Sequence, residues 1–195
     1  MWVNDFDGND YKEKILSRSI EGRDMPIIMK RDMIKELPAL KKQVLKHHDY
    51  ATKSVQDLFG SDKLSKALFR EASYFRSCIA INDGKGNFAI KDLPFDAQLS
   101  SVCATAIIDI NGDKLPDLVT GGNNFTFLPQ YGRLDASRSD VFINKGNMNF
   151  EVVKYPQNGL NIIGQIKDIK PIVIKNNNYL LFGINNEKPR LVKIG

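Results

Sequence analysis

Apolar residues recur along this chain with two different periods. From Cys78 onward they form short runs, among them Cys78-Ile79-Ala80-Ile81, Val102 to Ile108 and Val141-Phe142-Ile143, each closed off by Asn, Asp or Gly within a few residues. Such runs predict strands joined by turns. The clusters Asn82-Asp83-Gly84-Lys85-Gly86-Asn87 and Asn144-Lys145-Gly146-Asn147-Met148-Asn149 predict two hairpins, each leading into a Phe, Phe88 and Phe150. The last stretch predicts four more short strands at 161–166, 171–175, 179–184 and 190–194, forming one antiparallel sheet.

Between residues 27 and 75 the spacing changes. Met33, Leu37, Leu40 and Val44 recur every three or four positions and fall on one helical face. Pro38 suits a first helical turn, which predicts a helix over 37–50. A second helix is expected over 52–59, stopped by Gly60, and a third, capped by Ser61 or Asp62, takes in Leu64, Leu68 and Phe69. The chain is therefore expected to be mostly β with an α-helical insertion.

Two acidic loops share one frame. Residues 5–13 and 109–117 place oxygen side chains at positions one, three, five and nine: Asp5, Asp7, Asn9 and Glu13, then Asp109, Asn111, Asp113 and Asp117. The carbonyls of Tyr11 and Leu115 fall at position seven. A hard cation such as Ca²⁺ takes six to eight oxygens, and alternate residues of a tight loop can turn theirs inward. An EF-hand is excluded, because position six is Asp10 or Lys114 rather than Gly and position twelve is Leu16 or Thr120 rather than Glu. Asp5-Phe6-Asp7-Gly8 also has the form of a phosphatase nucleophile motif, but only Trp2 and Val3 are apolar ahead of it, too little for the buried strand that chemistry needs. Plain Asp/Asn/Gly turns without a metal remain the other reading.

The landmarks repeat. Phe88 and Phe150 lie about 60 residues apart, and a weaker echo of the second loop, Ile166-Lys167-Asp168-Ile169-Lys170-Pro171, follows it by about the same distance. That echo keeps one carboxylate. The gap of about 104 residues between the two acidic loops leaves room for an insertion of about 44, which the helical segment supplies.

Composition changes little of this. With 195 residues, 42% hydrophobic and 26% charged, the chain falls outside the disordered and collagen-like classes. No run approaches the roughly 20 apolar residues of a membrane span, and the opening residues do not form an export signal. The net charge of +5 comes largely from dispersed lysines, a modest footprint for a nucleic-acid binder. Cys78 and Cys103 each sit in an apolar run and are expected as buried free thiols, although spacing alone does not settle their pairing.

Taken together, the DxNxD…D loop, the NxGxxxF hairpin and the 60-residue period resemble FG-GAP/VCBS repeat proteins, the calcium-loop β-propellers of integrin-alpha type. The match is strongest from Ile79 to Phe150, fair from Val3 to Ser19 and weak after Gly164. Gly121-Gly122-Asn123, the segment 132–137 and the helical insert resemble a bacterial subgroup found at the cell surface or secreted. The resemblance implies a partial β-propeller of about three four-stranded antiparallel blades. Its expected parts are a partial first blade with a calcium loop at 1–26, the helical insertion at 27–76, completion of the first blade at 77–98, a second blade with a calcium loop at 99–155, and a degenerate last blade at 156–195. The remaining blades would come from upstream sequence, since propellers have four to eight. Family loops carry Gly at position six, so Asp10 and Lys114 depart from the pattern and bear on affinity.

The implied function is a non-catalytic module in which Ca²⁺ is structural and the protein binds a protein or glycan partner outside the cell, in the periplasm or at the cell surface. Phe125, Phe127, Tyr131 and Arg133 are the candidate contact residues, because aromatics and Arg dominate interfaces; the same aromatics would also serve as core between blades. An accessory domain of a surface hydrolase is the alternative. No Ser/His/Asp constellation or phosphate-cradling Gly loop points to an enzyme, and His47 and His48, adjacent on a helix, point about 100° apart. Polyanion binding through Lys41, Lys42, Lys46, His47, His48 and Lys53 is a weaker reading, for the chain lacks the basic-aromatic strands of single-strand readers.

Overall fold

Backbone hydrogen bonding divides the chain into many short antiparallel pairs, 37% strand against 16% helix. The structure, a computed structural model, describes residues 1–127 and 132–194. It separates into two units, Met1–Tyr74 and Phe75–Gly195.

In the first unit, β1 (Trp2–Asn4) is the middle strand of a three-stranded sheet, flanked by β2 (Glu13–Ile15) and by β5 (Leu68–Phe69). A separate hairpin pairs β3 (Ser17–Ile20) with β4 (Arg23–Pro26). Its two-residue turn, Glu21-Gly22, has positive φ at both positions (51° and 76°), the left-handed turn whose twist matches antiparallel strands. Then come α1 (Lys30–Glu36), α2 (Leu40–Gln43), α3 (His47–Ala51) and α4 (Val55–Leu64). Met33, Leu37, Leu40 and Val44 are all buried as their spacing predicts, in one core with Phe6, Ile15, Tyr50, Val55, Leu58 and Leu64.

The single helix expected over 37–50 is broken. Leu37, held before Pro38, leaves helical geometry (φ −125°, ψ 75°), as steric pressure from a following proline ring dictates. Val44 leaves it again (φ −128°, ψ 85°), and Lys46 is extended. The second helix begins at Val55 behind Ser54 rather than at Thr52, and Gly60 interrupts it with φ 71°. The expected third helix shrinks to a turn ending at Leu64. Leu68 and Phe69 are strand instead, opposite Val3 and Trp2, with the Trp2 and Phe69 rings 4.5 Å apart.

Helix α4 carries a reciprocal cap. The Asp57 N–H donates to Ser54 Oγ at 3.1 Å and the Ser54 N–H donates to the Asp57 carboxylate at 2.8 Å, while Arg23 reaches the same carboxylate. The Ser54 N–H, followed by its hydroxyl and Arg23, holds the Asp57 carboxyl down at about 2. Its folded value lies below the ordinary 3.8, so the associated stability is complete above about pH 4 and is lost as pH falls through about 2. Ser54 is buried, and Ser54→Ala is expected to remove about 1 kcal/mol, read by urea denaturation, and to shrink the acid-induced loss between pH 4 and 2. An unchanged acid limb in that variant would contradict the cap.

The second unit is β throughout. Strands β6 (Cys78–Asn82) and β7 (Phe88–Asp92) form the first predicted hairpin, and a 3-10 turn follows at Phe95–Gln98. Strands β8 (Val102–Ile108), β9 (Asp117–Gly122), β10 (Asp140–Asn144) and β11 (Phe150–Val153) make a four-stranded meander in chain order, containing the second predicted hairpin. One face of this meander buries Ala104, Ala106, Val119, Val141 and Ile143 against Ile166, Ile169, Leu180 and Phe182. The other buries Leu118 and Phe142 against Leu93 and Ala97. Covered on both sides, β9 is buried at every position.

The closing sheet has three strands where four were expected: β12 (Ile166–Ile174), β13 (Asn177–Ile184) and β14 (Arg190–Lys193). Residues 161–165 form no strand, and β12 runs straight through Pro171. It can do so because β12 is an edge strand, so the missing proline N–H costs no bond on its open side. The echo around Asp168 therefore lies within β12, with a bulge between Ile166 and Asp168, and is not a loop. Both cysteines are free, but neither is buried as expected: Cys78 is half-buried at the start of β6, and Cys103 is exposed, since its neighbours Ala104 and Ala106 take the inward positions of β8. No sheet among the described residues closes on itself. No helix among the described residues is long and apolar enough to cross a membrane.

Candidate functional site

Each acidic loop joins two antiparallel strands, residues 5–13 between β1 and β2 and residues 109–117 between β8 and β9. Their internal geometry is nearly the same. The position-one carboxylate accepts the N–H of position four, Gly8 to Asp5 at 2.6 Å and Gly112 to Asp109 at 2.8 Å. It also accepts the N–H of position six, Asp10 and Lys114, at 2.9 Å in both loops. The position-five oxygen accepts the N–H of position seven, Tyr11 to Asn9 and Leu115 to Asp113, at 2.8 Å in both. The position-nine carboxylate accepts the N–H of position two, Phe6 to Glu13 at 2.8 Å and Ile110 to Asp117 at 2.9 Å.

Backbone angles agree as closely. Gly8 and Gly112 have φ of 82° and 79°, and position six has φ 68° in both loops. Asp10 and Lys114 thus hold the left-handed conformation that Gly would take with less strain.

The loops differ in how their oxygens are used. In the first, ligand atoms of Asp5, Asp7 and Glu13 all lie within 4.8 Å of one another. Asp7 carries none of the four frame bonds, so its carboxylate stands ready beside two others. Burial works to raise the Asp5 carboxyl, yet the N–H groups of Asp10, Gly8, Asn9 and Asp7 together hold it below the ordinary carboxylate range. In the second loop, the Asn111 amide donates to Asp113 at 2.9 Å. The Asp113 carboxyl is lowered by the Leu115 N–H, then by that Asn111 amide, with Lys145 adding to it. Asp117 is fully buried, and its other oxygen accepts the Asn144 N–H at 2.8 Å. Among the described residues the acidic side chains converge in the first loop and not in the second.

The expected contact residues lie on the segment after β9. An isolated bridge pairs Asn124 with Leu134, and the Arg133 guanidinium stacks 3.7 Å above the Phe125 ring. Phe125 is half-buried and Phe127 exposed, whereas Tyr131 lies outside the described residues. His47 and His48 are both exposed on α3.

From sequence, Asn123 is named only as part of the Gly121-Gly122-Asn123 string, with no structural role given to it. It is fully buried with φ 75°, and its amide uses all four positions: it accepts from Ser100 Oγ and the Ser137 N–H and donates to the carbonyls of Ser137 and Gly164. The Gly121-Gly122-Asn123 string was the available signal, because two glycines ahead of a polar residue mark close backbone approach.

No family model, no curated protein and no solved structure matches this chain.

Proposed function

We propose that this chain is a non-catalytic, calcium-stabilised β-repeat module of the FG-GAP/VCBS type that binds a protein or glycan partner. The observation that carries the reading is the four-bond frame shared by two loops that have only Asp at position one and Gly at position four in common. Different residues held in one geometry argue for a common demand on that geometry, and an all-oxygen donor set suits a hard cation. Asp5, Asp7 and Glu13, with Asn9 and the Tyr11 carbonyl, would hold the ion in the first loop. Asp109, Asn111, Asp113 and Asp117, with the Leu115 carbonyl, would do so in the second. When bound, Ca²⁺ supplies cross-linking of strand to strand, and its ligand carboxylates are not left over for acid-base work.

The face-to-face stacking of the β8–β11 meander against β12 and β13 suits a blade in a partial propeller. Phe127 and Arg133 are the surface positions assigned to the partner. An extracellular, periplasmic or cell-surface location belongs to the same proposal.

Calcium is expected to raise the melting temperature of the native chain by about 2–3 kcal/mol of equivalent stability at a hundredfold excess over Kd. Asp7→Ala removes a ligand without removing a frame bond, so it is expected to lose the first-loop share of that shift while melting normally without calcium. Asp109→Ala tests the second loop but also removes two loop hydrogen bonds. No shift up to millimolar calcium would reduce both loops to plain turns.

A further inference from the structure

We propose that the first unit holds a binding site for a small organic anion, a carboxylate on an apolar, ring-sized body, in the hollow between hairpin β3–β4, the start of α1, and α3. The site shares no lining residue with either acidic loop and does not depend on their binding calcium.

The hollow measures about 550 Å³, within the range of small-molecule pockets. Its apolar wall comes from Ile20, Met25, Pro26, Met29 and the Tyr50 ring. Arg18, Lys30, Arg31 and Lys53 bring only positive charge to it, His47 lines it beside them, and no carboxylate among the described residues does. Arg31 is already paired with Asp32, but Arg18, His47 and Lys53 have no ion-pair partner among the described residues.

Lys30 sets the charge that the hollow can accept. It is only 8% exposed, and among the described residues its ammonium donates to one neutral acceptor, the Leu45 carbonyl at 2.6 Å. Lysine is almost never so buried without a counter-charge, and an ammonium has three donors of which one is used here. Chain topology forces this placement, because Lys30 opens α1 directly after the extended segment that leaves β4, and α3 packs its Tyr50 beneath, with the hydroxyl donating to the Ile28 carbonyl. An anion entering from the Arg18–Lys53 side would supply the missing charge, and its apolar body would cover the methionine wall. Inorganic anions meet only half of that chemistry.

The test uses the full chain in calcium-free buffer with three probes: 2-naphthoate, neutral 2-naphthalenemethanol and inorganic phosphate. The expected result is saturable binding of one 2-naphthoate per chain, at least roughly tenfold tighter than either other probe. Of the five methionine methyls in the sequence, those of Met25 and Met29 are expected to move under the ring current in NMR spectra, while Met148 stays in place. The double variant Arg18→Gln/Lys53→Gln, at positions outside the core, is expected to weaken naphthoate roughly tenfold without changing the methyl positions of the free protein. Equal binding of the neutral probe or of phosphate, methyl shifts elsewhere, or no saturation up to millimolar naphthoate would overturn the proposal. The methyl readout on the unaltered chain decides the matter even where the double variant fails to fold.

Discussion

Gly122→Ala is expected to destabilise the second unit by about 3 kcal/mol or more, a loss visible as a lower urea midpoint or a melting temperature lower by about 10 °C. A Cβ at this position would lie 1.7 Å from the Ser101 carbonyl oxygen and 2.8 Å from its carbon. Those are backbone atoms, so no side-chain rotation relieves the clash. The carbonyl is fixed in turn, because it accepts the Asn123 N–H at 3.0 Å next to the bulge between Val102 and Ala104. Separating the strands would also strain Asn123, whose amide joins residues 100, 137 and 164. Gly112→Ala is the control: it sits at φ 79° with nothing within 4 Å, so only the conformational cost of about 1 kcal/mol applies. Equal losses at the two positions would mean that the β8–β9 approach is looser than described.

Asp117→Ala is expected to cost about 2–6 kcal/mol, because one fully buried carboxylate satisfies two backbone donors, those of Ile110 and Asn144. Removing it leaves both N–H groups without an acceptor, at about 1–3 kcal/mol each. Asp117→Asn keeps one acceptor oxygen and is expected to lose about half as much. Hydrogen exchange provides the local readout, with the Ile110 and Asn144 amides losing protection ahead of the rest of the sheet. If Asp117→Ala costs no more than Asp83→Ala, in an exposed turn, the carboxylate does not hold β9 to β10. Asp117 thus has a structural duty toward Ile110 and Asn144 that needs no metal, a duty its counterpart Glu13 shares only toward Phe6.

Sequence pattern carries information where the contacts it encodes are local. Strand pairs β6–β7, β8–β9 and β10–β11 were legible because each is local: an apolar run, a turn rich in Asn, Asp and Gly, and a second run. The acidic frame was legible for the same reason, since its four hydrogen bonds span at most seven residues. The Glu21-Gly22 hairpin was equally local and was overlooked, because Ser17 to Ile20 and Arg23 to Pro26 contain few apolar residues to announce a strand.

What the sequence by itself determined is therefore short-range: the β-rich class, the hairpins, the helical periodicity of Met33 to Val44, and the side chains that fold each acidic loop around its own backbone. Tertiary structure decided what depends on partners distant along the chain. Leu68 and Phe69 have helical spacing from Leu64, and they became strand only because Val3 and Trp2, more than 60 residues earlier, offer hydrogen bonds and an aromatic ring. Pro171 fits inside β12 only because that strand lies at an edge. Lys30 became a buried cation only when α1, α3 and the β3–β4 hairpin closed around it. In each case the local preference is worth a fraction of a kcal/mol to about one, and packing or pairing of distant segments outweighs it.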